Sequence, residues 1–519
     1  MEWSKSEEAT TMAEKSIIII GAGIAGLSAG CYGQMNGYKT KIFEMHTLPG
    51  GLCTSWKREG YLIDLCIHWL VGSKPGSAFY QIWEELGAVQ NRRFVYADEF
   101  MRYEDKDGKT FVLYSNVDRL EQHMLELAPE DAELIREFTK GIRACIGLEF
   151  PVDKPMELYK FWDWLKFGIT VLPKYMPLGR WQKLSTEAFV ARFKSPLIRN
   201  GIFSLWPPSF PILFLLMTLA WLHEKSAGYP IGGSLEFAHA IKKRYRDLGG
   251  DIHYGSPVMK ILVEKNQAVG VRLQDGTEHH ADYVISAADG HATIFEMLEG
   301  KYLDEKIRSY YEKWTPFPAL IFIGLGVHRS FSELPPSVSG LTMQLPEPVT
   351  LGDQAHQFLS VRIHNSDPTL APTGKTALTI ILPSDLAYWE KLHKDSARYK
   401  AEKEQIANKV IALLDRRFPG LSSQVEMRDV ATPTTFVRYT GNWKGSFEGW
   451  MVTPQTWNVR MSKTLPGLEN FYMCGHWVEP GGGLPPAAMS GRSVIQLICA
   501  KDRQKFVTQE EHPMLTVSL

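Results

Sequence analysis

A run of isoleucines that leads into a glycine-rich turn, Ile17 to Gly26, constrains the fold of this chain more than any other feature. Consecutive β-branched residues suit a strand that is buried on both faces of a parallel sheet. Gly21 permits a tight turn, Gly23 lets the backbone approach a pyrophosphate, and Gly26 lets the next helix pack closely against the strand. The helix is expected to begin near Ile24, with its positive N-terminus facing the phosphates. The pattern therefore predicts a dinucleotide-binding unit.

An acidic residue and a second pair of glycines distinguish between kinds of dinucleotide. The helix is expected to end near Gly37 and the second strand to cover residues 38–43, which places Glu44 at the end of that strand. A carboxylate there can accept hydrogen bonds from both ribose hydroxyls. The pair Gly50-Gly51 lets the chain pass close under the cofactor, and a simple NAD site has no need of such a pair. The sequence therefore predicts FAD.

A second glycine-rich segment lies near the other end of the chain, at residues 475–492. A short strand is expected to end at Gly475, and after a loop of glycines and prolines a helix begins near Pro486. The positive end of that helix could stabilise negative charge at the N1 and O2 region of a reduced flavin. Its position between a strand and a helix favours a flavin contact over an ordinary tight loop. The predicted cofactor-binding residues are Gly21, Gly23, Ile24, Ala25, Gly26, Glu44, Gly50, Gly51, Leu52, Val258, Gly475, Gly482, Gly483 and Leu484.

The composition is that of a large enzyme and gives no sign of a nucleic-acid partner. The chain has 519 residues, 44% of them hydrophobic, so we expect two domains, at least one of them discontinuous. The formal net charge of -1 offers no electrostatic basis for binding nucleic acid. The cysteines show neither a CxxC pair nor a metal-like spacing, so no metal site is predicted and reduced, structural thiols are expected. They are Cys31, Cys53, Cys66, Cys145, Cys474 and Cys499.

The N-terminus and the middle of the chain indicate where in the cell the protein works and what surrounds it. Met1 to Lys15 is polar and unlike a signal peptide, which predicts a cytoplasmic location. Residues 201–222 carry no charge, but their prolines leave an apolar run of only about a dozen residues, typical of a buried core helix or an interfacial segment. Residues 158–167 and 172–181 mix aromatic side chains with lysines, as at a water–lipid boundary. They either contact a membrane surface or cover a hydrophobic cavity, and both alternatives indicate an apolar substrate.

The remaining pattern is strand-rich. Residues 258–264, 268–273 and 278–286, with a hairpin turn at Asp275-Gly276, are expected to cover one face of the nucleotide sheet. Residues 319–328 and 355–383 are expected to supply strands of the second domain, and residues 396–418 a charged surface helix.

Several of these stretches carry a family resemblance, namely 21–26 with 50–51, 60–68, 229–234 and 474–492. Together they resemble the phytoene desaturase, carotenoid isomerase and retinol saturase family of FAD enzymes, over nearly the whole chain. The resemblance implies an α/β protein, α+β overall, with a discontinuous, glutathione-reductase-like Rossmann domain for FAD and a mixed sheet-and-helix substrate domain. The implied chemistry is desaturation, saturation or isomerisation of C=C bonds in a long apolar lipid, often taken from a membrane.

The resemblance and the chain pattern together predict a division into segments. The FAD domain is expected at 15–88, 229–298 and 431–502, the substrate domain at 89–228 and 299–430, and polar tails at 1–14 and 503–519. Two positions depart from the family pattern. Cys66 stands where a glycine is frequent beside the flavin, and Glu479 where a small or uncharged residue is frequent, which weighs against a standard carotenoid substrate.

Hydride transfer at flavin N5 needs a group that handles the accompanying proton. Glu479 is the first candidate, with an ion-pair role as the alternative. His68 and His476 are the next candidates, followed by His223 and Glu224, each with a structural role as the alternative. The sequence has no second GxGxxG, so NAD(P)H could act only as a transient reductant. An amine-oxidase-like enzyme and a flavin-containing lipid-binding protein without turnover remain alternatives.

Overall fold

Five parallel strands form the sheet that the first motif predicts, in a computed structural model that describes residues 15–459 and 461–509. Their spatial order is Asp251–His253, Lys39–Phe43, Ser16–Ile20, Tyr283–Ser286 and Phe471–Met473. Ile20 pairs with Phe43 on one side and Ser286 on the other, and Ser286 pairs with Met473. The strands therefore end at one edge of the sheet, where ligands of such sheets bind. The predicted tail at 1–14 lies outside the described residues.

Three helices cover one face of this sheet, Ile24–Met35, Gly233–Asp247 and Leu484–Lys501. The first and last of them cross closely because Gly491 has no side chain, and a Cβ there would collide with the carbonyl oxygen of Ala25. Gly30 likewise makes room for the ring of Tyr245 on the second helix. The first and last parts of the chain are therefore packed together around the dinucleotide motif.

A three-stranded antiparallel sheet covers the other face, as predicted, with strands Val258–Glu264, Gln267–Leu273 and Glu278–His280. Ile261 and Val271 share a hydrophobic core with Ile18 of the parallel sheet. The single strand predicted over 278–286 is interrupted after His280, because the chain leaves the antiparallel sheet and enters the parallel one. Asp282, at this crossing, accepts a hydrogen bond from the amide of Ser16 at 2.8 Å.

A second, seven-stranded sheet has the order Val425–Ala431, Ala319–Val327, Thr376–Ser384, Gln354–Ile363, Leu341–Leu351, Glu99–Glu104 and Thr110–Tyr114. All neighbouring strands are antiparallel except Leu341–Leu351 and Glu99–Glu104. Helix Ser396–Arg417 packs on this sheet with Ile406, Val410 and Leu414 buried in the core, so it is amphipathic and not only a surface helix.

We call the seven-stranded sheet and the helices that pack beside it the second region. Helices form the rest of this region. They are Val117–Leu127, Ala132–Cys145, Phe161–Thr170, Leu172–Tyr175, Gly179–Gln182, Thr186–Val190, Pro196–Leu205 and Ile212–His223. The last of these lies in the hydrophobic core, with Leu215, Leu216 and Leu219 buried, which decides for the core-helix alternative. Across residues 15–459 and 461–509, none of the helices combines the length and the apolar character needed to cross a membrane.

Shorter elements occur in the rest of the described chain. Within residues 15–459 and 461–509 the remaining α-helices are Ala78–Glu85, Glu305–Lys313, Leu386–His393, Leu421–Gln424 and Pro433–Thr440, and the remaining strands are Ser55–Arg58, Tyr61–Asp64, Leu70–Val71, Phe94–Val95 and Ala227–Pro230. All six cysteines are free thiols. The described part of the predicted C-terminal tail packs on the first helix, where the Val507 amide donates to Asn36 Oδ1 at 2.8 Å, while residues 510–519 lie outside the described residues. The division into domain segments stays a prediction.

Candidate flavin and substrate site

One cavity of about 1500 Å³ opens at the edge where the parallel strands end. It is bordered by the loops that follow strands Ser16–Ile20, Lys39–Phe43, Tyr283–Ser286 and Phe471–Met473, and it continues away from the sheet between the helices of the second region. Pockets for ligands of drug size measure roughly 300–1,000 Å³. This cavity therefore has room for more than one such ligand.

The first glycine motif forms one wall of the cavity. The Gly21 amide donates to the carbonyl oxygen of Phe43 at 2.8 Å, and its φ of 96° suits glycine. A Cβ on Gly23 would meet no protein atom within 4 Å, so the space beside it is open to a ligand. Gly26 lies behind the wall, where a side chain would collide with the carbonyl oxygen of Gly21. Helix Ile24–Met35 begins without a side-chain cap, which leaves its amides available to an anion.

Glu44 is buried at the end of the second strand and is held by two backbone amides. Its Oε2 accepts from Ala22 at 2.6 Å and its Oε1 from His46 at 2.8 Å. Burial raises the pKa of Glu44 above its usual value, while the hydrogen bonds from His46 and Ala22 act to lower it. The carboxyl group also borders the cavity, so its remaining lone pairs can accept ribose hydroxyls.

The second glycine pair lies directly against the first motif. The Gly50 amide donates to the carbonyl oxygen of Ala22 at 2.8 Å, and both Gly50 and Gly51 have positive φ. A Cβ on Gly51 would lie 3.5 Å from Gly23 Cα and would occupy space above the phosphate turn. Because neither residue has a side chain, the pair leaves room for a dinucleotide to pass close to the backbone.

The C-terminal glycine loop forms a further part of the cavity wall. The Gly475 amide donates to Ser490 Oγ at 2.7 Å, and a Cβ on Gly475 would lie 3.6 Å from that of Ala25. Helix Leu484–Lys501 begins after Gly483, again without a side-chain cap. Two helix N-termini therefore border the same cavity, although Pro485 and Pro486 have no N–H and leave Leu484 as the amide donor among the first three residues of the second helix. Apart from Gly26, all the predicted cofactor-binding residues line it, including Leu52 and Val258.

The part of the cavity that is remote from the sheet has an aromatic wall. Neighbouring ring centroids are 5.5 Å apart for Phe210 and Phe214, 5.5 Å for Phe210 and Phe317, and 5.0 Å for Phe317 and Phe447. Aromatic side chains in such a wall offer large apolar surfaces with little conformational freedom to lose. This part of the cavity suits a long hydrocarbon better than a charged metabolite.

The two histidines predicted as proton-transfer candidates both line the cavity. Burial, and then the charge of Arg362, lower the pKa of His68 to about 3, and burial lowers the pKa of His476 to about 4. Both rings are therefore neutral near pH 7 and are poor proton donors. The secondary candidates bind backbone amides elsewhere: His223 Nδ1 accepts from Val117 at 3.3 Å, and Glu224 Oε1 from Gly147 at 3.1 Å.

Glu479, the first candidate from the sequence, lines the cavity as part of an ion-pair cluster. Its Oε1 lies 2.9 Å from Lys463 Nζ, which also lies 2.9 Å from Glu157 Oε1. Burial acts to lower the pKa of Lys463, but the carboxylates of Glu479 and Glu157 together raise it above its ordinary value. Glu479 thus forms an ion pair, as the alternative from the sequence expected, and its role in proton transfer stays a prediction.

Two further carboxyl groups in the cavity wall were missed by sequence reasoning. Asp289 follows the fourth strand of the parallel sheet and accepts backbone hydrogen bonds from Ala292 and Trp443, both at 2.8 Å. Burial raises the pKa of Asp289 to about 6 and that of Glu448 to about 7. The one sequence signal for Glu448 is a lone acid between aromatic and glycine residues at 447–450, too weak to single it out.

Open space beside Gly23, a buried carboxylate for ribose and two uncapped helix ends fit both the phosphate and the ring portions of a flavin dinucleotide. The fold and the site thus define a dinucleotide-binding flavoprotein. The chain belongs to the flavin containing amine oxidoreductase family, whose sequence pattern matches residues 24–499. The cofactor is FAD, as the sequence predicted, and the chain is an FAD-dependent enzyme of the oxidoreductase or isomerase type.

Relatives of known activity agree with the resemblance found in the sequence. The chain is 25% identical to the chloroplastic prolycopene isomerase of Arabidopsis thaliana, over 91% of this chain and 81% of the relative. It is also 25% identical to the neurosporene-forming phytoene desaturase of Rhodobacter capsulatus, over 93% of each chain. Cyclohexylamine oxidase from Brevibacterium oxydans shares the fold, with a TM-score of 0.59 and 13% identity over 95% of this chain and all of that one.

Proposed function

We propose that this enzyme moves a hydride between flavin N5 of FAD and a carbon–carbon double bond of a long apolar lipid, as a desaturase, a saturase or a cis-trans isomerase. The observation that carries the proposal is the continuity of the cavity, which joins the two glycine loops to the aromatic wall. A lipid chain lying along that wall would reach the place where a flavin ring would lie. The activities named for the carotenoid-acting relatives support the same substrate class.

The residues of the site would bind and orient the two ligands. Amides at the start of helix Ile24–Met35 would hold the pyrophosphate, and the Glu44 carboxylate the ribose. The start of helix Leu484–Lys501 would face the flavin ring, where its partial positive charge favours the reduced, anionic form. FAD supplies the hydride chemistry itself. The aromatic wall excludes water and orients the hydrocarbon.

We also propose that the lipid enters from a membrane surface. Apolar residues in the helical segment at 161–176 are strongly exposed, with Phe161 at 72%, Trp162 at 73%, Ile169 at 67%, Leu172 at 46% and Met176 at 69%. We call these five residues the entrance patch. Leu172 and Met176 also line the cavity, so the patch is continuous with its wall. Exposed lysines lie among them, at Lys160, Lys166 and Lys174. Aromatic and basic side chains together suit an anionic bilayer surface.

The function is tested with the purified full-length protein loaded with FAD. Oxidised and anaerobically photoreduced enzyme are each mixed with micellar prolycopene, phytoene or all-trans-retinol, and the products are separated by chromatography. A changed polyene supports the proposal. Oxidation of cyclohexylamine without a changed polyene would overturn it in favour of an amine oxidase. A flavin that exchanges electrons with neither class of compound, and no isomerised polyene, would overturn it in favour of a lipid-binding protein without turnover.

Membrane contact is tested by sedimentation with vesicles. The wild-type protein is expected to sediment with vesicles that contain phosphatidylserine, and less with phosphatidylcholine alone, because the lysines favour an anionic surface. Replacing both Trp162 and Ile169 with serine should release the protein into the supernatant. Phe203→Ser, which changes an exposed aromatic residue outside the patch, is the matched control and should still sediment. Equal sedimentation of all three proteins would contradict the proposed entrance.

A further inference from the structure

Glu448 lies where the glycine loop meets the aromatic wall. A Cβ on Gly482 would lie 2.8 Å from Glu448 Oε2, so the loop passes directly over the carboxyl group. The backbone amide of Gly483, at the start of helix Leu484–Lys501, acts to lower the pKa of that carboxyl group. The preceding residue, Phe447, belongs to the aromatic wall. The carboxyl group therefore borders both the proposed flavin side and the proposed lipid side of the cavity.

Hydrogen bonds to the two residues that follow Glu448 fix the position of this segment. The carbonyl oxygen of Gly449 accepts from the Phe317 amide at 2.8 Å and from Ser446 Oγ at 3.0 Å. The carbonyl oxygen of Trp450 accepts from the Gly481 amide at 3.1 Å, which ties this segment to the glycine loop itself. The side chain is thus presented to the cavity by a segment that is hydrogen-bonded to the wall and to the loop.

The surroundings of Glu448 differ from those of Glu479, the carboxyl group that the sequence nominated. Within residues 15–459 and 461–509 no cation forms an ion pair with it, whereas Glu479 is paired with Lys463. Burial raises the pKa of Glu448 to about 7, and the Gly483 amide opposes this shift. The titratable ring packed beside this segment is that of His476, whose Cδ2 would lie 2.7 Å from a Cβ on Gly449 and which burial keeps neutral. Glu448 therefore exchanges its proton in the neutral range.

We propose that Glu448 is the catalytic proton donor and acceptor of the cavity, serving the carbon atom next to the one that exchanges a hydride. The inference rests on the proposed function, since it assigns a residue to that reaction. It also replaces Glu479, His68 and His476 in the role for which the sequence nominated them.

In the saturating direction, a proton and a hydride add to the two carbons of the double bond. The O–H bond of Glu448 breaks, and the π electron pair of the double bond forms a C–H bond with the released proton at one carbon. The other carbon receives a hydride from reduced FAD, so the lipid is reduced by two electrons and the flavin is oxidised. A two-electron donor, such as a reduced nicotinamide, must then reduce the flavin again. Desaturation is the reverse, with the Glu448 carboxylate taking the proton and an external acceptor taking the electrons.

The first test needs no turnover. Infrared spectra of the FAD-loaded protein are recorded from pH 5 to pH 9, and the carbonyl band of a protonated carboxyl group is followed. The wild type is expected to lose such a band with a midpoint near pH 7, and Glu448→Gln is expected to lack that component. Asp289→Asn and Glu479→Gln are matched controls that should keep it. A component near pH 7 that persists in Glu448→Gln would overturn the proposal.

The second test measures activity with the polyene that the wild type converts. Glu448→Gln should retain FAD but lose about 10²–10⁴-fold in turnover, the usual contribution of acid–base catalysis. Turnover within threefold of wild type, with the same pH profile, would refute the role. If the glutamine variant does not fold, Glu448→Asp replaces it. The midpoint of its infrared carboxyl band and the midpoint of its pH–turnover profile must then shift from the wild-type values in the same direction and by the same amount. A wild type that converts no polyene refutes the proposed function, while the infrared titration still decides whether Glu448 exchanges a proton.

Discussion

The raised pKa of Glu448 also predicts how the substitution Glu448→Gln changes the free energy of unfolding with pH. Burial raises the pKa of Glu448 from an ordinary value of 4.5 to about 7 in the folded protein. Between these two values the unfolded chain releases the proton while the folded protein keeps it. The carboxyl group therefore lowers the free energy of unfolding progressively as pH rises through this window, and the loss is complete above the folded-state pKa.

The size of the effect follows from linkage. One pKa unit corresponds to about 1.4 kcal/mol, so the full shift amounts to roughly 3.4 kcal/mol. Between pH 5 and pH 8.5 the wild type should lose about 2.5 kcal/mol relative to Glu448→Gln, because part of the loss already lies below pH 5. Any fixed cost of the glutamine, such as an amide without a hydrogen-bond partner, is the same at both pH values and cancels in this difference.

Urea unfolding of both proteins at pH 5 and pH 8.5, followed by flavin fluorescence, measures the difference. The free energy of unfolding of the variant minus that of the wild type should increase with pH. Glu469→Gln, at an exposed carboxylate, is the control substitution against which this change is compared. A difference for Glu448→Gln that is constant within about 0.5 kcal/mol, the usual scatter of such comparisons, would refute the inferred burial of the carboxyl group.

Other substitutions separate binding from folding. Gly23→Ala should weaken FAD binding at least tenfold in equilibrium titration yet leave the melting temperature of the FAD-free protein unchanged, because the new Cβ meets only ligand space. Gly26→Ala should instead lower the yield of folded protein, since its Cβ collides with backbone, and an equal loss of folding in both variants would contradict the distinction. Lys463→Met should destabilise the protein by about 1–3 kcal/mol in urea unfolding, because the partly exposed carboxylates of Glu479 and Glu157 lose the cation that they share. An effect below 1 kcal/mol would show that the cluster is well solvated.

The nucleotide half of the fold could be predicted because its determinants are local in sequence. Gly21 and Gly50 occupy backbone conformations with φ of 96° and 104° that other residues adopt only with strain. Strand Leu341–Leu351 could not be found in this way, because Pro346 and Pro348 interrupt its pattern. The structure accommodates these prolines at a register shift between Gln344 and Val349.

The candidate site was predictable only as far as residue type indicates chemistry. His68 and His476 were selected because histidine titrates near neutrality, yet burial removes that property from both. Glu479 was selected as a lone carboxylate, and its partner Lys463 was not identifiable from the sequence. For Glu448 the decisive facts are its burial and the Gly483 amide, which comes from a later part of the chain. Tertiary contacts, rather than residue type, set the proton affinity of each group.

The same carboxyl group can report which class of substrate the cavity accepts. An ionised carboxylate against a hydrocarbon loses its remaining hydration, whereas the neutral acid loses little. A bound polyene should therefore raise the pKa of Glu448 above about 7, and a protonated amine should lower it by charge attraction. Infrared titration of the oxidised protein with and without saturating phytoene, and with cyclohexylamine, measures both shifts without turnover. An upward shift with the amine alone, or no shift with either ligand, would contradict the placement of Glu448 beside the substrate.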